Sequence, residues 1–415
     1  MKLLHLSDWH LGRVTYNHSR AEDFERVLGE ISEIARKERP DLICHTGDLF
    51  DSSRPAYADM ERAVRSLREL ADLAPVVVLA GNHDSPALFR LFNDLLASKS
   101  AKAAVRIRFI ERPKRPDEGG LLRFESARGE PVRLAVLPFV HANRLVDVFE
   151  GTESWMVDYA DRVRDMQRIL SHSLEAGFDA GRDVLLFAAH LHVGGAVRSG
   201  SERQLHITDT YATRAESLPP VSYAAFGHIH KPQDIPGEIR ARYAGSPIQL
   251  DFGEVGEQKF VVVVDARPGR PAVVTPVPLS GGRPLRKLEG TLKELRRIAP
   301  SVGPELCLVT VHTDAPTPML SEQVRALLPK ATVLQVTEVC AAHRVKVMSK
   351  EDVPNAEPSF EALFRDYLAE EGTRGASADR VMKTFSTLIQ AVEEERLPSF
   401  PEEALLAAPG AQVSR

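Results

Sequence analysis

Cysteine is scarce in this chain: three residues in 415, Cys44, Cys307 and Cys340, with no metal-type spacing between them. That excludes a disulfide framework and a thiolate zinc site, and it fits a reducing compartment, so a cytoplasmic protein is expected. Long apolar runs are missing too. Stretches such as Val184–Ala189 and Phe260–Val264 fall far short of the roughly 18 residues that suggest a membrane span. A secretory leader is not expected, because Asp8 places a charge close behind Met1. There is no Gly-x-x-x-x-Gly-Lys-Ser/Thr loop, so ATP chemistry is not expected in this chain. Nor is there an overall positive field: 53 basic residues face 58 acidic ones for a net charge of -5. Any binding of a polyanion must therefore come from local patches.

Such patches are present. Residues 102–115 carry Lys102, Arg106, Arg108, Arg112, Lys114 and Arg115 against Glu111 alone, and 282–297 carry Arg283, Arg286, Lys287, Lys293, Arg296 and Arg297 against Glu289 and Glu294. Residues 357–397 are acidic instead. Hydrophobic residues make up 43% and charged residues 27%, which is ordinary soluble usage, and the length suits two or three domains.

The first 80 residues alternate short apolar runs with amphipathic stretches: Lys2–Ser7, 20–38, Asp41–Thr46, 56–73 and Pro75–Ala80. Phe24, Val27, Leu28, Ile31 and Ile34 follow helical spacing, as do Met60, Val64, Leu67 and Leu70. The pattern predicts an α/β layered domain whose sheet is at least partly parallel. Further strands are expected near 105–110, 121–125, 132–137, 184–189, 222–226 and 259–264, with a helix near 156–176. The run of short strands in the second half suggests a second sheet packed on the first.

Between 268 and 284 the sequence turns rich in Pro and Gly, the mark of a domain boundary. A small unit is expected beyond it, with helices at Leu292–Ile298 and Ser321–Leu328 and strands at Leu306–His312 and Thr332–Val339. Two amphipathic helices, near 358–371 and 377–396, close the pattern. The domains expected are 1–278, a small unit 279–340, a linker 341–356, a helical region 357–398 and a loose tail 399–415.

Metal-binding residue types recur where the predicted strands end. Asp8 and His10 follow the first strand two residues apart, which turns both side chains to one face of an extended chain. Gly47-Asp48 follows the second strand, Gly81-Asn82-His83-Asp84 the third, His190 the strand 184–189, and Gly227-His228-Ile229-His230 the strand 222–226. The carboxyl ends of strands in an α/β sheet meet at one edge, so these groups can converge across more than 200 residues of sequence. Asp, His and Asn without Cys favour Mn²⁺ or Fe²⁺, admit Zn²⁺ and suit Mg²⁺ less well. So many donors suit two ions, and two ions about 3.5–4 Å apart point to hydrolysis at phosphorus.

The ordered set resembles the calcineurin-like metallophosphoesterase superfamily. Within it, Ser7-Asp-Trp-His-Leu-Gly12, Gly47-Asp-Leu-Phe-Asp51, Leu79-Ala-Gly-Asn-His-Asp84, Phe226-Gly-His-Ile-His-Lys231 and Tyr243-Ala-Gly-Ser-Pro-Ile248 resemble the bacterial SbcD family, nuclease subunits that work with the SMC-like ATPase SbcC. The resemblance implies a two-sheet metallophosphoesterase sandwich flanked by helices, a small α/β capping domain that binds DNA, and a C-terminal helical pair that binds the ATPase. It implies two divalent ions, most readily Mn²⁺: Asp8, His10 and His230 on one, Asn82, His190 and His228 on the other, Asp48 between them. His83 would face the scissile phosphate as general acid or transition-state stabiliser, with Asp51 as the Asp that orients it. The activity implied is that of a 3′–5′ double-strand exonuclease and single-strand or hairpin endonuclease in DNA end processing, repair and recombination. Homodimerisation within a heterotetramer is implied as well.

Other residues have competing readings. His192 is an alternative to His190, which is preferred because it follows its strand directly. His5 and His45 lie inside strands and read as core histidines. Asp84 reads as a cap for the helix starting at Ser85-Pro86 rather than a ligand. Arg13 and His18 suit either DNA phosphate or a solvated surface. A protein phosphatase is disfavoured because Ser52-Ser53 follow Asp51 where those enzymes carry Arg-Gly. A small-molecule phosphodiesterase would not need the mass beyond residue 280, and a non-catalytic DNA-end scaffold would not need the full ligand set.

Overall fold

A computed structural model describes residues 1–96, 106–140, 152–199, 218–341, 360–370 and 375–393. The chain divides into two units, Met1–Ala342 and His343–Arg415. In the first, strand β1 (Lys2–Leu6) leads through a short hairpin, β2 (Val14–Thr15) and β3 (His18–Ser19), into helix α1 (Ala21–Glu38). Then come β4 (Leu42–His45), α2 (Tyr57–Leu73), β5 (Val76–Leu79), α3 (Pro86–Leu96) and β6 (Ile107–Ile110). Strands β1, β4, β5 and β6 pair side by side in parallel. A second sheet is built from β7 (Leu121–Glu125), β8 (Pro131–Leu137), β9 (Val184–His190), β10 (Tyr223–Gly227), β11 (Gln233–Ile235) and β12 (Ala241–Tyr243), with α4 (Thr152–Glu175) between β8 and β9. Its order is β11-β12-β10-β9-β8-β7. The hairpin β13 (Lys259–Arg267) and β14 (Arg270–Leu279) then returns to the first sheet, beside β1, completing the order β14-β13-β1-β4-β5-β6.

Three hydrophobic clusters show why these elements stack as they do. Leu3, Leu42, Cys44, Val77 and Leu79 of the first sheet meet Leu134, Val136, Leu186, Ala188 and Ala225 of the second. The outer face of the first sheet packs against Phe24, Val27 and Ile31 of α1, Leu67 and Leu70 of α2, and Phe89 and Phe92 of α3. The outer face of the second packs against Val163, Leu170 and Leu174 of α4. Strands covered on both faces read as continuous apolar runs and not as alternation, which is the pattern of Val184–Ala189. The result is the two-sheet sandwich flanked by helices that the motifs imply.

The Pro- and Gly-rich stretch 268–284 is not simply a connection. Most of it is β14, a ten-residue strand that sits at the sheet edge and carries Pro271, Pro276 and Pro278. An edge strand tolerates prolines because half of its N–H groups have no neighbour to bond.

Residues Leu285–Gly290 form a strand, β15, absent from the sequence expectation because only Leu285 and Leu288 carry apolar side chains there. It pairs in parallel with β16 (Leu306–Thr313), which pairs in parallel with β17 (Thr332–Cys340). Helices α5 (Leu292–Ile298) and α6 (Leu320–Leu327) cover this sheet over Leu295, Val309, Val311 and Val324. A capping box, Thr291 with Glu294, starts α5.

The second unit contains α7 (Phe360–Glu370) and α8 (Ala376–Glu393), joined by Phe364 stacked on Phe385 at 4.0 Å. The linker 341–356 and tail 399–415 lie outside the described residues, except Ala341. No helix among the described residues is long and apolar enough to cross a membrane.

Candidate metal centre

Every one of the seven expected ligands stands at or just past the carboxyl end of a strand, but they come from two sheets and not one. Asp8 and His10 follow β1, Asp48 follows β4 and Asn82 follows β5; His190 ends β9, and His228 and His230 follow β10. The loops are stitched together by backbone: Asp8 N–H donates to Gly47 O, His10 N–H to Asp48 O and Leu11 N–H to Leu49 O, each at 3.0 Å. Asp8, His10, Asp48 and His228 all have φ between 48° and 101°. For non-glycine residues that left-handed conformation is unfavourable, and it persists where the surroundings over-determine it. Gly81 is needed for room: a Cβ there would meet Asp48 Oδ1 at 2.1 Å.

The donor atoms form two groups, Asp8 with His10 and His230, and Asp48 with His190 and His228, and a third that straddles them, His10 with Asp48 and the half-buried His83. Asn82 joins the second: its Oδ1 lies 3.0 Å from His190 Nε2 and 2.9 Å from His228 Nδ1. Asp48 Oδ2 lies 3.5 Å from His10 Nε2 and 3.4 Å from His190 Nε2, so one carboxylate oxygen faces both groups.

The rings are oriented from behind. His190 Nδ1 faces Thr46 O at 2.8 Å, His230 Nδ1 faces Glu254 Oε1 at 3.3 Å, and His10 Nδ1 faces Asp51 Oδ1 at 3.2 Å. A neutral imidazole that donates through Nδ1 turns a lone pair outward at Nε2.

These lone pairs test whether the site suits cations. His190 Nε2 and His228 Nδ1 approach to 3.3 Å with the Asn82 oxygen against both, and His10 Nε2 is buried without a hydrogen-bond partner among the described residues. Acceptors facing acceptors out of water are unfavourable unless a proton or a metal ion lies between them. The protonation preferences agree. Burial works against charging His190, yet Asp48 and Asp8 hold its pKa up to about 9. Burial lowers His10 to about 4 and raises Asp8 to about 6. Asp48 stays well below the ordinary carboxylate range despite burial, because His190, His83 and His10 surround it.

The family model of calcineurin-like phosphoesterases matches residues 1–232. A second, described as a type 5 capsule protein repressor C-terminal domain (SbcD_C), matches 282–372. The SbcD subunit of the SbcCD nuclease of Bacillus subtilis is 35% identical over 293 residues, covering 69% of this chain and 72% of that one. The chain belongs to the SbcD family of calcineurin-like phosphoesterases. Its counterpart in Escherichia coli K12 is 27% identical over 95% of this chain and 99% of that one, and that in Staphylococcus epidermidis 26% over 71% and 74%. As a member of the SbcD family, the chain is a metal-dependent nuclease subunit, and its clustered donors fit divalent metal ions.

Within this SbcD-family site, the structure redraws several expected roles. Asp51 does not orient His83 with its carboxylate. His83 Nδ1 donates instead to the Asp51 carbonyl at 2.7 Å, while the Asp51 carboxylate faces His10 and, at 3.4 Å, Arg13 Nη1. The reason is reach: the main chain of Asp51 already lies against His83, leaving the side chain to turn toward His10. His83 is half-buried, unlike the buried ligands, and its ring stands edge-on to His10 at 4.7 Å.

Asp84 caps no helix. Its buried carboxylate accepts from Leu49, Phe50 and Gly81 N–H and so clamps the Asp48 loop to the Asn82 loop, while Ser85 Oγ accepts from Leu88 N–H. His5 is a satisfied core histidine, between Tyr223 Oη and Thr46 Oγ1. His45 is buried too and accepts from Gly47 N–H through Nδ1, but its Nε2 has no hydrogen-bond partner among the described residues. His18 faces Arg283 at 3.0 Å, and burial and that cation lower its pKa. His192 is buried, 6.5 Å ring to ring from His228 and outside the ligand groups.

Three contributors escape sequence reasoning. Glu254 holds His230 from 24 residues away, and Lys259 holds Glu254 at 2.7 Å and His230 O at 3.0 Å. Phe139 stacks on His228 with centroids 5.9 Å apart. No local pattern announces such partners, because a supporting contact leaves no periodicity in the chain. The Asp251-Phe-Gly-Glu254 turn just after the Tyr243–Ile248 motif is the only hint.

Proposed function

We propose that this chain cleaves phosphodiester bonds of DNA as a 3′–5′ exonuclease on duplex ends and an endonuclease on single strands and hairpins, with Mn²⁺ at both ion positions. The observation that carries the reading is Asp48 Oδ2 facing both donor groups at 3.5 and 3.4 Å, the arrangement a bridging carboxylate needs. A divalent pair bound there supplies Lewis acidity at phosphorus and a nucleophile at neutral pH. Asp8, His10 and His230 are assigned to one ion, and Asn82, His190 and His228 to the other. Three of the imidazoles are turned by Thr46, Glu254 and Asp51 so that they need not reorganise during reaction. His83, fixed through Nδ1 by the Asp51 carbonyl, is assigned to deliver a proton to the leaving oxygen from Nε2. Asp51 acts through His10 and the main chain as a positioning residue.

The partners follow from the same reading. The capping unit, 279–340, leaves Lys287, Lys293, Arg296 and Arg297 exposed, whereas Arg283 and Arg286 are tied to Asp23 and Glu305. Such exposed cations on one small unit suit a DNA backbone. Of the run 102–115, residues 102–105 lie outside the described residues; Arg106 donates to Ala71 O at the end of α2 and Lys114 pairs with Glu111, which favours a structural role. Helices α7 and α8, within 357–398, keep Leu363, Tyr367, Val381 and Leu388 at least 40% exposed. An apolar face on an acidic helical pair supports docking to a protein helix rather than to DNA. We assign that partner as the SMC-like ATPase SbcC, which would supply the ATP chemistry, within a heterotetramer containing two copies of this chain. Three free, buried cysteines support a cytoplasmic protein.

Cleavage of an end-labelled linear duplex tests the reading, with Mn²⁺, with Mg²⁺ and with chelator, comparing the protein with His83→Ala. Cleavage in Mn²⁺ that the substitution reduces by about 10²–10⁴-fold, with Mn²⁺ content retained, is the expected result. Hydrolysis of a generic phosphodiester with DNA left intact, even with the ATPase and ATP added, would reject DNA as substrate.

A further inference from the structure

Arg13 sits on the turn after the first motif, its N–H donating to His10 O at 3.0 Å. Its half-buried side chain lies between two carboxylates and is held lightly by both. Nη1 is 3.4 Å from Asp51 Oδ1, the same oxygen that faces His10 Nδ1. Nη2 is 3.9 Å from Asp251 Oδ2, beyond hydrogen-bond range. Nε is buried and makes no hydrogen bond among the described residues. A guanidinium offers five N–H donors in a planar fork, and a single long contact engages this one. Its outer edge, Nη1 and Nη2, matches the two oxygens of a phosphate once the long contact to Asp51 is given up.

Its surroundings give the direction. The Asp51 residue touches Arg13 and His10 through its carboxylate and His83 through its carbonyl. Arg13 therefore stands on the flank of the site that holds His83, the group assigned to the leaving oxygen.

We propose that Arg13 is a substrate-binding residue that grips the DNA phosphate next to the scissile one, on the leaving-group side, exchanging Asp51 for phosphate oxygens as DNA enters. This rests on the nuclease reading above. It differs from a purely structural tie between Asp51 and Asp251, which would use the same two contacts without touching substrate.

Two variants of the full chain separate the alternatives: Arg13→Gln, and Asp251→Asn, which keeps an acceptor for Gly253 N–H and removes only the charge. Each is assayed on end-labelled duplex and on bis(4-nitrophenyl) phosphate, a diester without a neighbouring phosphate. Mn²⁺ affinity and anisotropy of a fluorescent duplex at several salt concentrations complete the set. For Arg13→Gln, KM should rise about tenfold more on DNA than on the small diester. The slope of log affinity against log salt should shrink by about one, with Mn²⁺ affinity retained. Asp251→Asn should leave KM for DNA unchanged or lower it, because a competing carboxylate is gone. Equal losses on both substrates, an unchanged salt slope, lost Mn²⁺ affinity, or a raised KM for DNA in Asp251→Asn would each overturn the proposal. If the unsubstituted protein hydrolyses the small diester but neither binds nor cleaves DNA, the nuclease reading itself fails and takes this proposal with it. If it does both, only the role of Arg13 is at stake.

Discussion

Beside the connection to the capping unit, Arg20, Asp23 and Arg283 bring two guanidinium groups and a carboxylate together, and the chain satisfies them. Arg20 donates from Nε to Asp23, from Nη1 to Gln249 O and from Nη2 to Arg283 O; Asp23 also accepts from Arg283 N–H and Nε. Glu30 accepts from Ser280 and Gly281 N–H nearby, so α1 straps down the segment 280–283. At the metal centre the polar groups are buried just as deeply, yet His190 Nε2, His228 Nδ1 and Asn82 Oδ1 crowd within 3.3 Å of one another, which needs a proton or a metal ion among them. Opposite charges that match each other build structure, whereas like-natured donors of electron pairs held together need something from outside. Burial alone does not distinguish the two regions; the sign and direction of their partners do.

The contrast breaks most sharply at Asp48. Asp48→Asn removes the charge that faces both donor groups and should lower cleavage by about three orders of magnitude, with Mn²⁺ content falling while the melting temperature changes little or rises. Calorimetric titration of Mn²⁺ with thermal unfolding checks both halves. Asp23→Asn should do the opposite. It leaves Arg20 buried without its counter-charge and should cost about 3–5 kcal/mol of stability, read by urea unfolding, while Mn²⁺ affinity per folded molecule is kept. Stability loss in the first variant or affinity loss in the second would erase the distinction.

Glu254→Gln is a finer probe. Removing the charge behind His230 should weaken Mn²⁺ binding by about 10–100-fold, measured on the folded protein because Lys259 also loses a partner. The gentlest effect per step concerns pH. With its pKa raised to about 9, His190 carries a proton at neutral pH in the metal-free protein, and an arriving ion must displace it. Mn²⁺ affinity should therefore rise by about tenfold per pH unit from 7 toward 9 and then level off. The metal-free fold shows the reverse sign: the stabilising contribution of a raised histidine is complete below its ordinary pKa near 6.5 and is lost as pH climbs through about 9. Affinity that is flat across this window would mean that no proton is displaced.

Much of this was legible along the chain. Strands β1, β4, β5 and β6 announce themselves as short apolar runs and α1 and α2 by helical spacing, whereas the short hairpin β2–β3 does not; the ligand types mark the strand ends because a metal needs those side chains whatever fold presents them. The strand Leu285–Gly290 was not legible, since two apolar side chains in six residues carry no period and its place is decided by pairing with β16. The prolines of β14 suggested a break for a related reason: the sequence shows that proline cannot donate, but not that the strand has an open edge.

The sequence by itself determined the donors, their order and the hydrolytic chemistry they suit, for these depend on residue identity at strand ends. Tertiary structure alone decided that the donors come from two facing sheets, that Asp48 turns one oxygen to both groups, and that Asp51 serves His10 with its carboxylate and His83 with its carbonyl. It also decided that Glu254 and Lys259 stand behind His230. Each of these is a direction or a distance between segments tens to hundreds of residues apart, set by how sheets pack and loops cross, and such quantities leave no local trace in the order of residues.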